Sequence, residues 1–359
     1  MTGSLRFIDR NARAARVGSF GAVAHSSRTA YTVPIRRVQA FVGLGLRRGW
    51  DIEGMMIGAG IAPMLLAEER ARVTTEQIGA LVQALWSATD DELLGLGAAA
   101  MPRGSFRLLS YGILSAPDVA AALDRFQQFS RALPAVPRVQ VSTDDDEVRM
   151  SVDLSRLAGE PIDLLVDALL ATAHRFLGWA IGRKVPLRRV ELPYPWCSDV
   201  DDYDLIFGAP VVFDAPQAAL VCGADLLAAP LVRSEAELDE FIRNAPGDLL
   251  ARRDYGTSLA DQVRHMIKPG RQEQLTGMDD VAARLAMSPQ TVRRKLREEG
   301  TSLREIRDQV LRDDAITALT RGDETIAALA ERLGFSEPSA FTRAFRRWTG
   351  SSPRSYRPG

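Results

Sequence analysis

The chain is poor in the residues that metals, disulfides and most catalytic centres require. Of 359 residues, only Cys197 and Cys222 are cysteine and only His25, His174 and His265 are histidine. The cysteines form no CxxC pair, which argues against a disulfide framework or a zinc cluster. His25 and His265 have no partners at metal spacing, so no metal site is expected. No apolar run reaches the length of a membrane span, the longest being broken by Arg, Asp or Gly. The arginine-bearing N-terminus has no continuous apolar segment ending in a small-residue cleavage site, which argues against a secretory signal. P-loop, GxSxG, HExxH and glycine-rich dinucleotide motifs are absent too, so the chain is expected to be no enzyme and to need no cofactor. A cytoplasmic protein without membrane attachment fits these absences.

What is present suits globular folding. Hydrophobic residues make up 46% and charged residues 25%, and the length favours two domains over one. The net charge of −1 conceals a division: residues 259–359 carry a surplus of +4 and residues 1–37 one of +6, leaving the centre at −11. Basic ends around an acidic centre suit a nucleic-acid binder with a separate sensing domain, although one-sided charge also serves solubility.

Residues 1–32 mix Arg, Gly, Ser and Ala without a period and read as a flexible basic arm, or as an extension upstream of the true start. Val38, Phe41, Val42 and Leu46 form a helical stripe, and Thr74 with Gln77 is a capping-box pattern opening a second helix. A further helix is predicted over 117–133. Val139 and Val141, a turn at 143–146, and then Val148, Met150, Val152 and Leu154 predict a hairpin. A long apolar helix over 162–181 follows, then short strands at 190–192, 211–213 and 219–221. A helix capped by Ser234 and Glu237 closes this α+β region, and a polar linker is expected at 251–257. On the apolar helix His174 reads as a core histidine. The clusters Asp144–Asp146 and Asp199, Asp201, Asp202 read as exposed turns rather than cation sites.

The last hundred residues repeat one plan. A short helix over 281–285, a turn at Ala286, Met287 and Ser288, and a second helix over 289–297 make one unit. A helix over 326–333, the turn Gly334, Phe335 and Ser336, and a helix from Pro338 through Trp348 make another. Ser288 and Ser336 stand at N-cap positions, Pro289 suits the first helical position, and Gly334 suits a left-handed turn. Val292 and Leu296, like Phe341 and Phe345, form core faces. The opposite faces carry Gln290, Arg293, Arg294 and Arg297 in one unit, and Ser339, Thr342, Arg343, Arg346 and Arg347 in the other. Small polar residues near a helix start with arginines beyond suit a helix that reaches base edges and phosphates in a major groove. Ser302 and Glu305 cap a connecting helix over 303–320, roughly 27 Å long at 1.5 Å per residue. Neighbouring major grooves on one face of DNA lie about 34 Å apart, so such a connector can hold one recognition helix in each.

The segments LAMSPQTVRRKLREEGTSLRE (285–305) and LGFSEPSAFTRAFRRWTGSSPRSYR (333–357) resemble the AraC/XylS family of transcription regulators. Upstream, GSFRLLSYGILSAP (104–117) and FGAPVVF (207–213) resemble that family's arabinose-binding-like domain. The resemblance implies an α+β effector-sensing and dimerisation domain over 33–250 and an all-α DNA-binding domain over 258–359, its two helix-turn-helix units joined by a linker helix. It implies base reading by Gln290, Arg293 and Arg294 and by Pro338, Ser339, Thr342 and Arg343. The implied partners are double-stranded operator DNA, a small-molecule effector, a second copy of the chain, and RNA polymerase where the regulator is an activator. Two residues depart from the pattern: Ala286 replaces a frequent glycine, at a cost of about 1 kcal/mol, and Pro338 replaces a frequent polar reader. Phe106, Tyr111, Trp179 and Trp196 are aromatics available to line a pocket in the middle domain, though such residues are more often core. An enzyme or a purely architectural DNA-binding protein are the competing classes, separated by substrate turnover and by ligand-dependent DNA affinity.

Overall fold

The structure, a computed structural model, describes residues 31–144, 146–157, 162–196, 203–244, 258–267 and 277–357. Nearly all of the expected basic arm, the linker 251–257 and the aspartates at 199, 201 and 202 lie outside these residues.

The chain enters through strand β1 (Thr32–Pro34) and runs directly into helix α1 (Ile35–Arg48). Gly49 ends α1 in the left-handed region, and Arg47 and Arg48 in the last turn face the negative end of the helix dipole. The buried stripe of α1 is Ile35, Val38, Phe41 and Leu44; Leu46, expected on it, is 68% exposed. Leu46 stands in the last turn of α1, just before the helix ends at Gly49. Helix α2 (Ile52–Gly58) follows, and strand β2 (Arg72–Thr74) returns antiparallel to β1, pairing Thr32 with Thr74. Thr74 opens α3 (Thr75–Thr89) with the expected capping box: its Oγ1 accepts from Gln77 N at 3.1 Å, and Gln77 Oε1 accepts from Thr74 N at 2.9 Å. Helices α4 (Ser105–Leu114) and α5 (Val119–Ala132) complete this layer.

The second layer is a five-stranded sheet. Strands β3 (Arg138–Asp144) and β4 (Glu147–Asp153) form the expected hairpin, and Val148, Met150 and Val152 are buried, as is Ser151 between the last two. Helix α6 (Ile162–Ala180), strand β5 (Leu187–Glu191), helix α7 (Tyr203–Phe207) and strands β6 (Val211–Val212) and β7 (Ala218–Gly223) follow, giving the order β3-β4-β7-β5-β6 with only β5–β6 parallel. Val166, Leu170 and Leu177 of α6 share one core with the sheet. His174 is buried in α6 with Nε2 2.9 Å from the Val185 carbonyl, and burial lowers its pKa to about 4. Helix α8 (Glu235–Asn244) packs beside α4. Phe106, Phe176, Trp179 and Phe241 pack together there, Trp179 stacking on Phe241 at 4.7 Å, so Phe106 and Trp179 are core aromatics; Trp196 is 62% exposed.

The C-terminal region comprises α9 (Leu259–Met266), α10 (Met278–Arg284), α11 (Pro289–Glu298), α12 (Leu303–Arg321), α13 (Ile326–Arg332) and α14 (Pro338–Thr349). Its first unit has a separate core of Leu259, Val263, Val281, Val292, Leu296 and Ile306. Its second unit does not: Ile316, Leu329, Phe341, Phe345 and Tyr356 belong to the same buried cluster as Val33, Ile35, Val73 and Leu81 of the N-terminal helical layer. Polar contacts close this joint. Thr32 Oγ1 donates to Asp313 Oδ1 of α12 at 2.6 Å, and the Arg72 amide donates to the Tyr356 hydroxyl at 3.1 Å. Both Thr32 and Asp313 are buried, so this hydrogen bond to a carboxylate has little competition from water.

Ala286, between α10 and α11, has φ 52°, the left-handed conformation anticipated from its place in the turn. Ala286→Gly is expected to raise thermal stability by about 0.5–1 kcal/mol, because glycine removes the Cβ strain; an unchanged or lowered melting temperature contradicts this account of the turn. Thr32→Val keeps the side-chain volume but removes the donor to Asp313 and the acceptor for Arg72 Nε at 2.7 Å. It is expected to cost about 1.5–3 kcal/mol in chemical unfolding of the full chain. A loss within the error of the measurement would show that the joint is held by apolar packing alone.

Candidate nucleic-acid interface

The first recognition helix, α11, is set by its own cap. Ser288 Oγ accepts from Thr291 N at 3.1 Å, and Pro289 occupies the first turn, where no amide partner is needed. Val292 and Leu296 are completely buried, which forces Gln290, Arg293, Arg294 and Arg297 to the solvent side, where all four are exposed. Glu299 just beyond α11 accepts from the first amides of α9, Leu259 N at 2.9 Å and Ala260 N at 2.8 Å, tying the unit together. Arg264 of α9 donates to Gln309 Oε1 of α12 at 2.5 Å, which docks the unit on the connector.

The second helix, α14, begins at Pro338 as expected, but its N-cap is Glu337 rather than Ser336, and no side chain caps it. The extra residue after Gly334, at φ 82°, displaces Ser336 from the cap. Phe341 and Phe345 are fully buried, and Pro338, Ser339, Arg343, Arg346 and Arg347 are exposed; Thr342 is half-buried. Two expected readers make local bonds: Ser339 Oγ donates to Glu337 Oε2 at 3.0 Å and Thr342 Oγ1 to the Pro338 carbonyl at 2.9 Å. Arg346 and Arg347 stand in the last turn, the favourable end of the dipole for a cation. Neither recognition helix has an acidic residue in its first turn.

Between them α12 runs 19 residues, opened by Ser302 Oγ accepting from Glu305 N at 3.3 Å and closed by left-handed Gly322. Its length is about 28 Å at 1.5 Å per residue. Arg332 of α13 pairs with Asp314 of α12 at 2.6 Å and with Glu324 at 2.7 Å, which fixes the second unit to the connector. Trp348 and Tyr356 pack inward as expected.

Sequence patterns missed the seat of α14. Arg347 lies 3.6 Å from Asp308 of α12, and its carbonyl accepts from Arg70 Nη1 at 3.5 Å. Gly350, in the left-handed region at φ +75°, lies so close to the Glu68 carboxylate that a Cβ there would stand 2.6 Å from it. Arg294 is likewise engaged, at 2.6 Å from Glu298 one turn along α11, but both partners are more than half exposed. Such pairs contribute at most about 1 kcal/mol and yield readily to a phosphate.

The family described as the arabinose-binding domain of AraC transcription regulators, N-terminal, matches residues 49–231, and a helix-turn-helix domain matches residues 281–359. The ornithine utilization regulator of Pseudomonas aeruginosa is 24% identical over 332 residues, 92% of this chain and 97% of that one. An uncharacterized HTH-type transcriptional regulator of Mycobacterium tuberculosis is 42% identical over 77 residues, 21% of this chain and 22% of the other. The crystal structure of the transcriptional regulator CdpR from Pseudomonas aeruginosa aligns over 78% of this chain and 91% of its own, at 23% identity and a TM-score of 0.30. Among the described residues no helix is long and apolar enough to cross a membrane. With its N-terminal match alone spanning more than half of the residues, the chain belongs to the AraC family of transcription regulators, proteins that act by binding DNA.

Proposed function

We propose that α11 and α14 are inserted in successive major grooves of an operator, and that residues 33–250 sense a small molecule and hold two copies of the chain together while residues 258–359 grip DNA. The observation that carries the reading is the pair of arginine-bearing faces, exposed on helices whose opposite faces are fully buried. Gln290, Arg293 and Arg294 are the base readers of the first unit, and Pro338, Ser339, Thr342 and Arg343 those of the second. Arg297, Arg346 and Arg347, farther along each helix, contact phosphates. The local bonds of Ser339 and Thr342, and the missing donor at Pro338, leave Arg343 as the principal reader of α14. Support for a small-molecule effector comes from the N-terminal family match and from a relative that governs ornithine utilization. The protein works in the cytoplasm and, where it activates, meets RNA polymerase.

Arg293→Ala should weaken operator binding by about 1–3 kcal/mol and relax preference at one or two base pairs. Arg347→Ala should weaken binding to operator and random duplex alike, with a shallower salt dependence. Equal losses on both DNAs for Arg293→Ala would reassign that side chain to positioning.

A melting screen of metabolites against the full chain tests the sensing domain. An effector that binds only the folded state at a hundredfold excess over its dissociation constant should stabilise it by about 2.7 kcal/mol. It should change operator affinity, and DNA should change its affinity by the same factor. A ligand that stabilises the chain and leaves operator affinity untouched contradicts the sensing role.

A further inference from the structure

The five-stranded sheet ends in two unlike edges. At one, β6 is two residues long and follows directly on Pro210, too short to template another strand. At the other, β3 runs seven residues and pairs with β4 without a bulge, from Arg138 opposite Asp153 to Asp144 opposite Glu147. Folded chains blunt such an edge with proline, lysine, a bulge or a covering element. β3 has neither proline nor lysine, and Arg138, Gln140, Ser142, Thr143 and Asp144 are exposed.

The pairing with β4 defines which backbone groups this edge presents. Asp144 and Glu147, two residues apart across the turn, are the hydrogen-bonded pair that closes the hairpin. Alternation along the strand puts Gln140 in the same phase, and its carbonyl accepts from Ser151 Oγ of β4 at 3.5 Å. Val139, Val141 and Thr143 therefore turn their amides and carbonyls away from β4. Side chains alternate as well: Val139 and Val141 pack toward the core shared with α6, which leaves Arg138, Gln140, Ser142 and Asp144 on the other face.

We propose that β3 pairs with β3 of a second copy, antiparallel about a two-fold axis at Val141, so that the two sheets become one of ten strands. The proposal rests on the reading above that residues 33–250 hold two copies together, and it names the surface that does so. In this register Val141 meets itself, Val139 meets Thr143, and Arg138 meets Asp144 at both ends. The three outward-facing pairs each exchange two backbone bonds. Arg138 and Asp144 fall at non-hydrogen-bonded pairs, where side chains approach most closely. A slip of two residues loses both charge pairs, and a parallel second strand sets Arg138 on Arg138 and Asp144 on Asp144. The backbone bonds thus hold the pair, and the charges select its partner and register. The carboxylates opposite on β4 are engaged within the chain, Asp153 with the Ser155 amide at 3.0 Å and Glu147 with Arg189 at 2.9 Å. Helix α5, which packs beside β3 and leads into it, repeats the polarity: Arg131 stands in its last turn and Asp124 about two turns earlier, both exposed. The two-fold axis brings the basic end of each copy to the acidic end of the other and closes the assembly at two.

The test is sedimentation equilibrium of the full chain over a range of concentrations, with a reversible monomer–dimer equilibrium and no larger species expected. Thr143→Pro removes an outward amide that β4 does not use. It should leave the melting temperature of the dilute monomer unchanged and raise the dimer dissociation constant at least about tenfold. Arg138→Asp and Asp144→Arg each set like charges at both ends and should weaken self-association roughly tenfold. An equimolar mixture of these two variants should regain an affinity close to that of the wild type, because only the mixed pair has opposite charges at both ends. A dimer untouched by Thr143→Pro, or a mixture as weak as either variant alone, would overturn the β3 interface and leave the two-copy reading standing. A chain that stays monomeric at every concentration overturns both, and assembly beyond two copies overturns the closed two-fold pairing.

Discussion

The seat of α12 on the β1–β2 ribbon is the constraint from which the rest of this arrangement follows. Thr32 and Asp313 are 281 positions apart, yet their hydrogen bond is buried, and the Arg72–Tyr356 bond lies beside it. Because α12 and Tyr356 are held there, the second helix-turn-helix unit shares its apolar cluster with the N-terminal helices. The first unit keeps a core of its own and reaches the body of the protein chiefly along α12. The two recognition helices are therefore differently founded: α14 moves with the N-terminal layer, and α11 is carried on the connector.

That difference gives the proposed regulation a physical route. A ligand shifts an equilibrium only by its differential affinity for the two arrangements, typically about 1–3 kcal/mol of coupling. A joint made of a few buried polar bonds and shared apolar packing lies in that range, since each bond to a charged group contributes about 1.5–3 kcal/mol. Small adjustments of β1 can then re-aim α14 relative to α11 without unfolding either unit. The exposed ion pairs on the recognition helices, Arg294–Glu298 and Arg347–Asp308, do not oppose this, because surface pairs are weak and exchange for phosphates at little cost.

Much of the local architecture was legible in the sequence because it is encoded by neighbours. Ser288, Ser302 and Thr74 mark helix starts through bonds to amides three residues on, and the apolar spacing of Val148, Met150 and Val152 marks a buried face of β4. The faces of α11 and α14 follow from Val292, Leu296, Phe341 and Phe345, so the solvent side of each recognition helix could be named in advance. What escaped is non-local or a matter of one residue. β1 and β2 are three residues each, too short to show a period, and pair across some forty positions. Leu46 fits a loose helical spacing yet falls off the buried stripe, and Ser336 resembles a cap that Glu337 in fact occupies. Arg37 of α1 and Asp167 of α6 pair across 130 positions, and no spacing rule connects them.

The central claim is that two recognition helices, one anchored and one carried on α12, enter adjacent major grooves together. Methylation interference with the full chain on its operator tests it most directly, because a methyl group on guanine N7 blocks major-groove contact alone. The account predicts two patches of interference per bound chain, centred roughly one helical turn apart, about 34 Å along the duplex, with Arg293→Ala altering one patch and Arg343→Ala the other. A single patch, or two patches that both respond to the same substitution, would contradict it.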